Sequence, residues 1–191
     1  MRRRSPQARR RRYVPSLAVI LASLLAAAVL SLSKGPLPSQ GPERAVPAST
    51  LRVVQVYDGD TIRLSNGEKV RLIGIDTPEL HESPKLRRDV QRTGQDAATV
   101  RRMGKRAREF TDALVFGRDV RVQTDLQERD KYGRLLAYVY LGDGTFVNEE
   151  IIKNGYATPM SIPPNVRYAE DFRGLYEQAR EEKKGLWGKA P

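Results

Sequence analysis

The amino-acid sequence predicts an α+β domain over residues 50–191. Three observations carry this: five short runs with strand-like patterning, acid-glycine or asparagine-glycine turns between several of them, and apolar residues at helical spacing in a stretch inserted after the third run. Residues 51–57 and 61–64 alternate as strands around the turn Asp58-Gly59-Asp60, and Asn66-Gly67 returns the chain into a third strand over 69–75. That strand carries Val70, Leu72, Ile73 and Ile75. It stops at Pro78, which has no N–H to donate and biases Thr77 to extended backbone. Residues 80–93 read as a long polar loop. Over 95–116, Ala98, Met103, Ala107, Phe110, Leu114 and Val115 recur at helical spacing with five basic residues between them, and Gly117 closes the helix. Strands follow at 119–124 and 135–141. Asp143-Gly144 then turns the chain into a short helix near 147–154, closed by Gly155, and a last helix near 168–184 stacks Ala169, Phe172, Leu175, Tyr176 and Ala179 on one side. Element pattern alone sets only the α+β class. Five strands with a helix after the third match a five-stranded OB-type β-barrel with about three helices.

The amino end is of a different kind. Of the formal net charge of +11, residues 1–34 supply +8 and the rest of the chain only +3, so the whole-chain charge is weak support for nucleic-acid binding. Residues 1–12 form a basic segment. Residues 13–33 are an uncharged run of 21, which reads as a transmembrane or signal helix. It exceeds the usual secretory apolar core and its alanines lie inside it, which favours an uncleaved anchor over a cleaved signal. The arginines stay on the cytoplasmic side, so the expected location is the cell membrane, single-pass, with the folded domain outside the cytoplasm; the alternative is secretion after cleavage. Residues 34–49 hold Pro36, Pro38, Pro42 and Pro47 and read as an extended linker. The chain has no cysteine, which excludes disulfides, thiolate metal sites and a cysteine nucleophile, and one histidine, His81, which leaves no imidazole pair for a His-based metal site; His81 itself reads as a solvated loop residue.

Chemistry concentrates on the first three strands. A meander of this kind brings Asp60 and Asp76 near each other, with Arg71 on the strand between them and Glu79 just beyond. Two carboxylates with nearby carbonyl oxygens suit a hard cation such as Ca²⁺, and a separate carboxylate with an arginine suits hydrolysis of a phosphate ester. Asp130-Lys131-Tyr132-Gly133-Arg134 supplies a second arginine, whose direction Gly133 sets by admitting a left-handed backbone. Singly, Asp58 and Asp60 are ordinary turn residues, and the basic residues of the long helix are a solvated face.

Asp58-Gly59-Asp60-Thr61, Arg71 followed by Asp76-Thr77-Pro78-Glu79, and Asp130-Lys131-Tyr132-Gly133-Arg134, in this order and at these spacings, resemble the motifs of the thermonuclease (staphylococcal nuclease) family. Residues 147–157 and Lys184-Gly185-Leu186-Trp187 are similar as well, so the resemblance spans about 51–187. It implies an OB-type barrel and a Ca²⁺ ion on Asp60, Asp76 and the Thr77 carbonyl. It further implies Glu79 as the residue that activates or orients water, and Arg71 and Arg134 on the phosphate. Asp58, Lys131 and Tyr132 form a second rank. The implied activity is endonucleolytic hydrolysis of DNA and RNA leaving 3′-phosphates, by a monomer with no protein partner. The chain departs from the pattern after the short helix, where Ser161 and Pro163 stand about where base-stacking tyrosines are expected. The alternatives are a non-catalytic nucleic-acid-binding OB module, against which the retained Arg71, Glu79 and Arg134 argue, and a membrane-tethered interaction protein, which rests only on the anchor and linker.

Overall fold

The computed structural model describes residues 51–188. The basic segment 1–12, the apolar run 13–33 and the linker 34–49 lie outside the described residues. Among the described residues no helix is long and apolar enough to cross a membrane.

Strands β1 (Leu51–Asp58), β2 (Thr61–Leu64) and β3 (Lys69–Leu72) form the expected meander. The barrel closes in the order β1, β2, β3, β6 (Leu135–Leu141), β5 (Asp119–Gln123), with β5 returning antiparallel to β1. Alternating residues fill its interior: Val53, Ile62, Leu64, Val70, Ala137 and Val139 are all completely buried. The single parallel contact matters most for the site. β3 runs alongside β6 with Arg71 opposite Leu136, while on its other side Arg71 lies opposite Thr61. Residues close to Asp60, to Arg71 and to Arg134 are thereby brought onto one end of three adjacent strands.

Two expectations are corrected. The third strand, expected over 69–75, breaks at Ile73: β3 ends at Leu72, and β4 (Gly74–Asp76) leaves the barrel to pair with β7 (Thr158–Met160) in a separate two-stranded sheet. Gly74 makes the break, with φ of +82°. The Phe172 ring lies so close that a Cβ there would meet it at 2.5 Å. Strand β7 escapes sequence reading because it contains Pro159, which is tolerated only at a sheet edge. The second correction concerns the polar loop 80–93. Most of it is helix α1 (Pro84–Thr93), capped by the Ser83 hydroxyl, which accepts from Leu86 N–H, and opened by Pro84. Among the described residues four helices therefore replace about three: α1, α2 (Ala97–Val115), α3 (Val147–Lys153) and α4 (Ala169–Glu181), followed by a 3₁₀ turn at Gly185–Trp187.

The break at Ile73 is stabilised across the chain by Asn148 of α3, which is fully buried. Its side-chain amide donates to the Ile73 carbonyl at 2.9 Å, and its oxygen accepts from Val139 N–H at 3.0 Å. Asn148→Ala leaves both backbone groups without these partners and is expected to lower the unfolding free energy by about 3 kcal/mol. Urea unfolding measures it, and a loss below about 1 kcal/mol would mean that water replaces the amide.

Candidate active site

The site is assembled from four chain segments. The first is the two-residue turn Gly59-Asp60, one residue shorter than the turn over 58–60 that the sequence suggests, since Asp58 is already paired with Thr61 as a strand residue. Gly59 is required here for close approach: a Cβ would lie 2.7 Å from Thr77 Cγ2 and 2.9 Å from Ala107 Cβ. The Thr111 hydroxyl donates to the Gly59 carbonyl at 2.8 Å, Leu72 N–H donates to the Asp60 carbonyl at 2.9 Å, and Asp58 accepts from Asp60 N–H at 3.2 Å. These bonds strap the turn to α2 and β3 and aim Asp60 inward. Its Oδ2 accepts from Thr77 N–H at 2.8 Å and the Thr77 hydroxyl at 2.9 Å, while Oδ1 accepts from the Thr61 hydroxyl at 3.1 Å. Asp60 is only 4% exposed.

Arg71, the second contribution, spans two carboxylates: Nη1 pairs with Asp60 Oδ1, and Nη2 with Asp76 Oδ1 at 3.2 Å. Burial pushes its guanidinium below the ordinary value and nearby Arg134 adds to that, while Asp76 and Asp58 oppose it. A guanidinium carries five donors, so both pairings leave others for a ligand.

The third segment runs from Asp76 to Glu79. Asp76 is buried at the end of β4 and gathers Arg71, Lys85 at 3.4 Å and Arg92 at 3.3 Å. The backbone at Pro78 and Glu79 rests on Gly104 of α2, where a Cβ would lie 2.7 Å from the Pro78 carbonyl oxygen and 2.8 Å from that of Glu79. Glu79 Oε1 accepts from the N–H groups of Leu80 (2.8 Å) and His81 (3.0 Å), and Oε2 accepts from the Ser83 hydroxyl at 3.0 Å. A carboxylate has about four acceptor positions, so these three bonds orient it without exhausting it.

The fourth segment, 124–134, is pinned by Asn165, which exchanges two hydrogen bonds with the Gln127 backbone at 2.7 and 2.8 Å. At its end Gly133 has φ of +79°, and Arg134 Nε binds Asp130 Oδ2 at 2.6 Å. Desolvation raises the Asp130 carboxyl, but hydrogen bonds from the Arg134 guanidinium and from the N–H groups of Tyr132 and Arg134 outweigh it and hold it below the usual carboxylate range. Tyr132 is 72% exposed, with Lys131 Nζ 5.0 Å and the Arg134 guanidinium 5.7 Å from its ring.

All nine residues singled out from sequence (Asp58, Asp60, Arg71, Asp76, Thr77, Glu79, Lys131, Tyr132 and Arg134) line one open cavity of about 630 Å³. The basic residues of α2 do not line it, in keeping with a solvated face. Nor do Ser161 and Pro163. The wall after α3 is formed by Met160 and Ile162, an apolar surface without aromatic rings, as the departure at Ser161 and Pro163 from the family pattern led one to expect.

Sequence reading missed the inward face of α1. Lys85 Nζ donates to the Thr77 carbonyl at 2.6 Å and to Asp89 Oδ2 at 2.9 Å, and the same Asp89 oxygen accepts from Glu79 N–H at 3.1 Å. Arg92 joins Asp89 Oδ1 at 2.9 Å. The Ser83-Pro84 start signal followed by Lys, Asp and Arg spaced four and three residues apart would have revealed this face. Among the described residues no group of three or more His, Cys, Asp or Glu side chains converges as a ready metal cage. The donor set nevertheless suits a hard cation: two buried carboxylates and a carbonyl, all oxygen, with the Lys85 ammonium standing in as the positive charge at Thr77 and Asp76.

Comparison with known proteins agrees with this geometry. The family model described as Staphylococcal nuclease homologue matches residues 69–189. The thermonuclease of Staphylococcus hyicus is 33% identical over 181 residues, covering 93% of this chain and 98% of the relative. That of Staphylococcus intermedius is 36% identical over 167 residues, covering 86% and 89%. Endonuclease YncB of Bacillus subtilis is 39% identical over 141 residues, covering 71% of this chain and 60% of its own length. With the family match across most of the folded domain and relatives aligned nearly end to end, the chain is a nuclease of the staphylococcal nuclease family.

Proposed function

We propose that this chain is a Ca²⁺-dependent endonuclease that hydrolyses phosphodiester bonds in DNA and RNA and leaves 3′-phosphates. The observation that carries the reading is the convergence of Arg71 and Arg134 with Glu79 and the Asp60, Asp76 and Thr77 oxygens on a single cavity. Asp60, Asp76 and the Thr77 carbonyl would hold the ion, which when bound would neutralise charge on the phosphate and help to orient it. Glu79 takes or orients the proton of the attacking water. As the water oxygen bonds to phosphorus, the bond to the 5′-oxygen of the next nucleotide breaks, that oxygen takes a proton from solvent to leave as a hydroxyl, and the phosphate stays on the 3′-oxygen. Negative charge gathers meanwhile on the non-bridging oxygens, where Arg71 and Arg134 present forked donors that a lysine cannot match. Lys131 and Tyr132 stand at the cavity mouth, exposed and available to a flanking nucleotide.

The full chain incubated with plasmid and single-stranded DNA is expected to cleave both with Ca²⁺ and neither in excess chelator. Zn²⁺ is expected to substitute poorly, because the site offers no thiolate or imidazole pair. Asp60→Ala should weaken Ca²⁺ binding as well as activity, and full activity under chelation would sink the reading.

The proposal also places the domain outside the cytoplasm, held by residues 13–33. The full chain is expected to fractionate with membranes and to be digested by protease added from outside. A mature amino terminus between Ser31 and Thr50 would show instead a released enzyme.

A further inference from the structure

We propose that Lys85 is a tethered competitor for the divalent cation: its ammonium occupies the position between the Thr77 carbonyl and Asp76, and metal can bind only when it leaves. The inference rests on the Ca²⁺ reading above and concerns what sets the affinity of that same site.

The geometry is specific. Lys85 Nζ lies 2.6 Å from the Thr77 carbonyl oxygen, 3.4 Å from Asp76 Oδ1 and 2.9 Å from Asp89 Oδ2. A Ca²⁺ ion bonds its oxygen ligands at about 2.3–2.6 Å, so an ion on the same carbonyl and carboxylate would overlap the ammonium. The ion and the ammonium cannot occupy the same space, and where the carboxylates are 4% exposed solvent screens the repulsion between the two cations little. The placement is built into the fold. Ser83 and Pro84 fix the start of α1, and Lys85, Asp89 and Arg92 fall on its inward face. Asp89, also 4% exposed, grips Lys85 through one oxygen and Arg92 through the other. Arg92 in turn reaches Asp76 Oδ2 at 3.3 Å. Helix α1 thus docks on the site through two cations, and Lys85 is the one that lies on the carbonyl.

Release has a path. The Lys85 side chain is 28% exposed and flexible, so the ammonium can swing to solvent without unfolding the helix. Its departure leaves Asp89 Oδ2 still bonded to Glu79 N–H and without its ammonium partner, which adds negative charge beside the incoming ion. The apparent metal affinity is the intrinsic affinity reduced by the fraction of time that Lys85 is away.

The test measures binding rather than activity. Calorimetric titration of Ca²⁺ into the full chain, without nucleic acid, is run on the wild type, Lys85→Met, which keeps the stem and removes the charge, and Lys85→Arg, which keeps the charge. Lys85→Met is expected to bind Ca²⁺ about tenfold more tightly, corresponding to a lysine present roughly nine-tenths of the time, and Lys85→Arg to gain no affinity. Hydrogen exchange over residues 84–93 should rise on adding Ca²⁺ to the wild type and change little in Lys85→Met. Should the methionine variant melt early, Lys85→Gln replaces it under the same criterion. Equal or weaker Ca²⁺ affinity in the neutral variants, with the wild type binding normally, overturns the competition while leaving the Ca²⁺ reading intact. A wild type that binds no Ca²⁺ and cleaves under chelation overturns both.

Discussion

Glu79→Gln is expected to lower single-turnover cleavage by about 10²- to 10⁴-fold, the scale of general-base catalysis, while leaving affinity for uncleaved single strands nearly unchanged. The structure makes this substitution unusually clean. A glutamine oxygen can still accept from the Leu80 and His81 N–H groups that now bind Oε1, and its amide can donate to the Ser83 hydroxyl that now binds Oε2. The backbone of Glu79 is held independently by Asp89 Oδ2 and by the Gly104 contact. The loop therefore keeps its shape, and what is lost is the ability to take a proton. An unchanged melting temperature is the control. Cleavage unchanged on the same preparation would remove Glu79 as the base. Slightly tighter strand binding with no cleavage in either protein is the signature of the alternative, a module that binds nucleic acid without cutting it.

The arginine variants come next in expected size. Arg71→Lys and Arg134→Lys should each reduce turnover by roughly 10²-fold or more, comparable to deleting one preorganised donor to developing charge. Their structural consequences differ, which makes the pair informative. Arg71 bridges Asp60 and Asp76 with a side chain 14% exposed, and a lysine there can neutralise one carboxylate but not span both, so some loss of stability should accompany the loss of rate. Arg134 is 28% exposed and tied only to Asp130 in a local i, i+4 pair, so its replacement should cost rate with little stability. Comparing turnover with urea midpoints separates the effects. Retained turnover in both lysine variants would reduce these arginines to strand-end charges.

The sequence by itself determined the class of domain, most of the barrel's strand pattern and the nine residues that meet on one cavity, because each is a local signal. Turn chemistry places the Gly59-Asp60 hairpin, Gly133 places Arg134, and period-two patterning marks the strands that close the barrel. The placement of Asp76, Thr77 and Glu79 five, six and eight residues after Arg71 needed no long-range information to be recognised. Tertiary structure decided the rest. The run 69–75 looks like one strand because its apolar residues continue past Ile73. It breaks because Gly74 lies under Phe172, and Asn148 takes the freed carbonyl, contacts from almost a hundred and exactly seventy-five residues away in the chain, respectively. Helix α1 looked like loop because the face it turns to the site carries Lys85, Asp89 and Arg92, polar groups without a hydrophobic period, of which Asp89 is buried among the opposite charges of Lys85 and Arg92. Nor could local pattern show that Arg134 stands beside Arg71. That depends on the parallel pairing of β3 with β6, in which strands more than sixty residues apart meet only when the barrel closes and buries their shared apolar face.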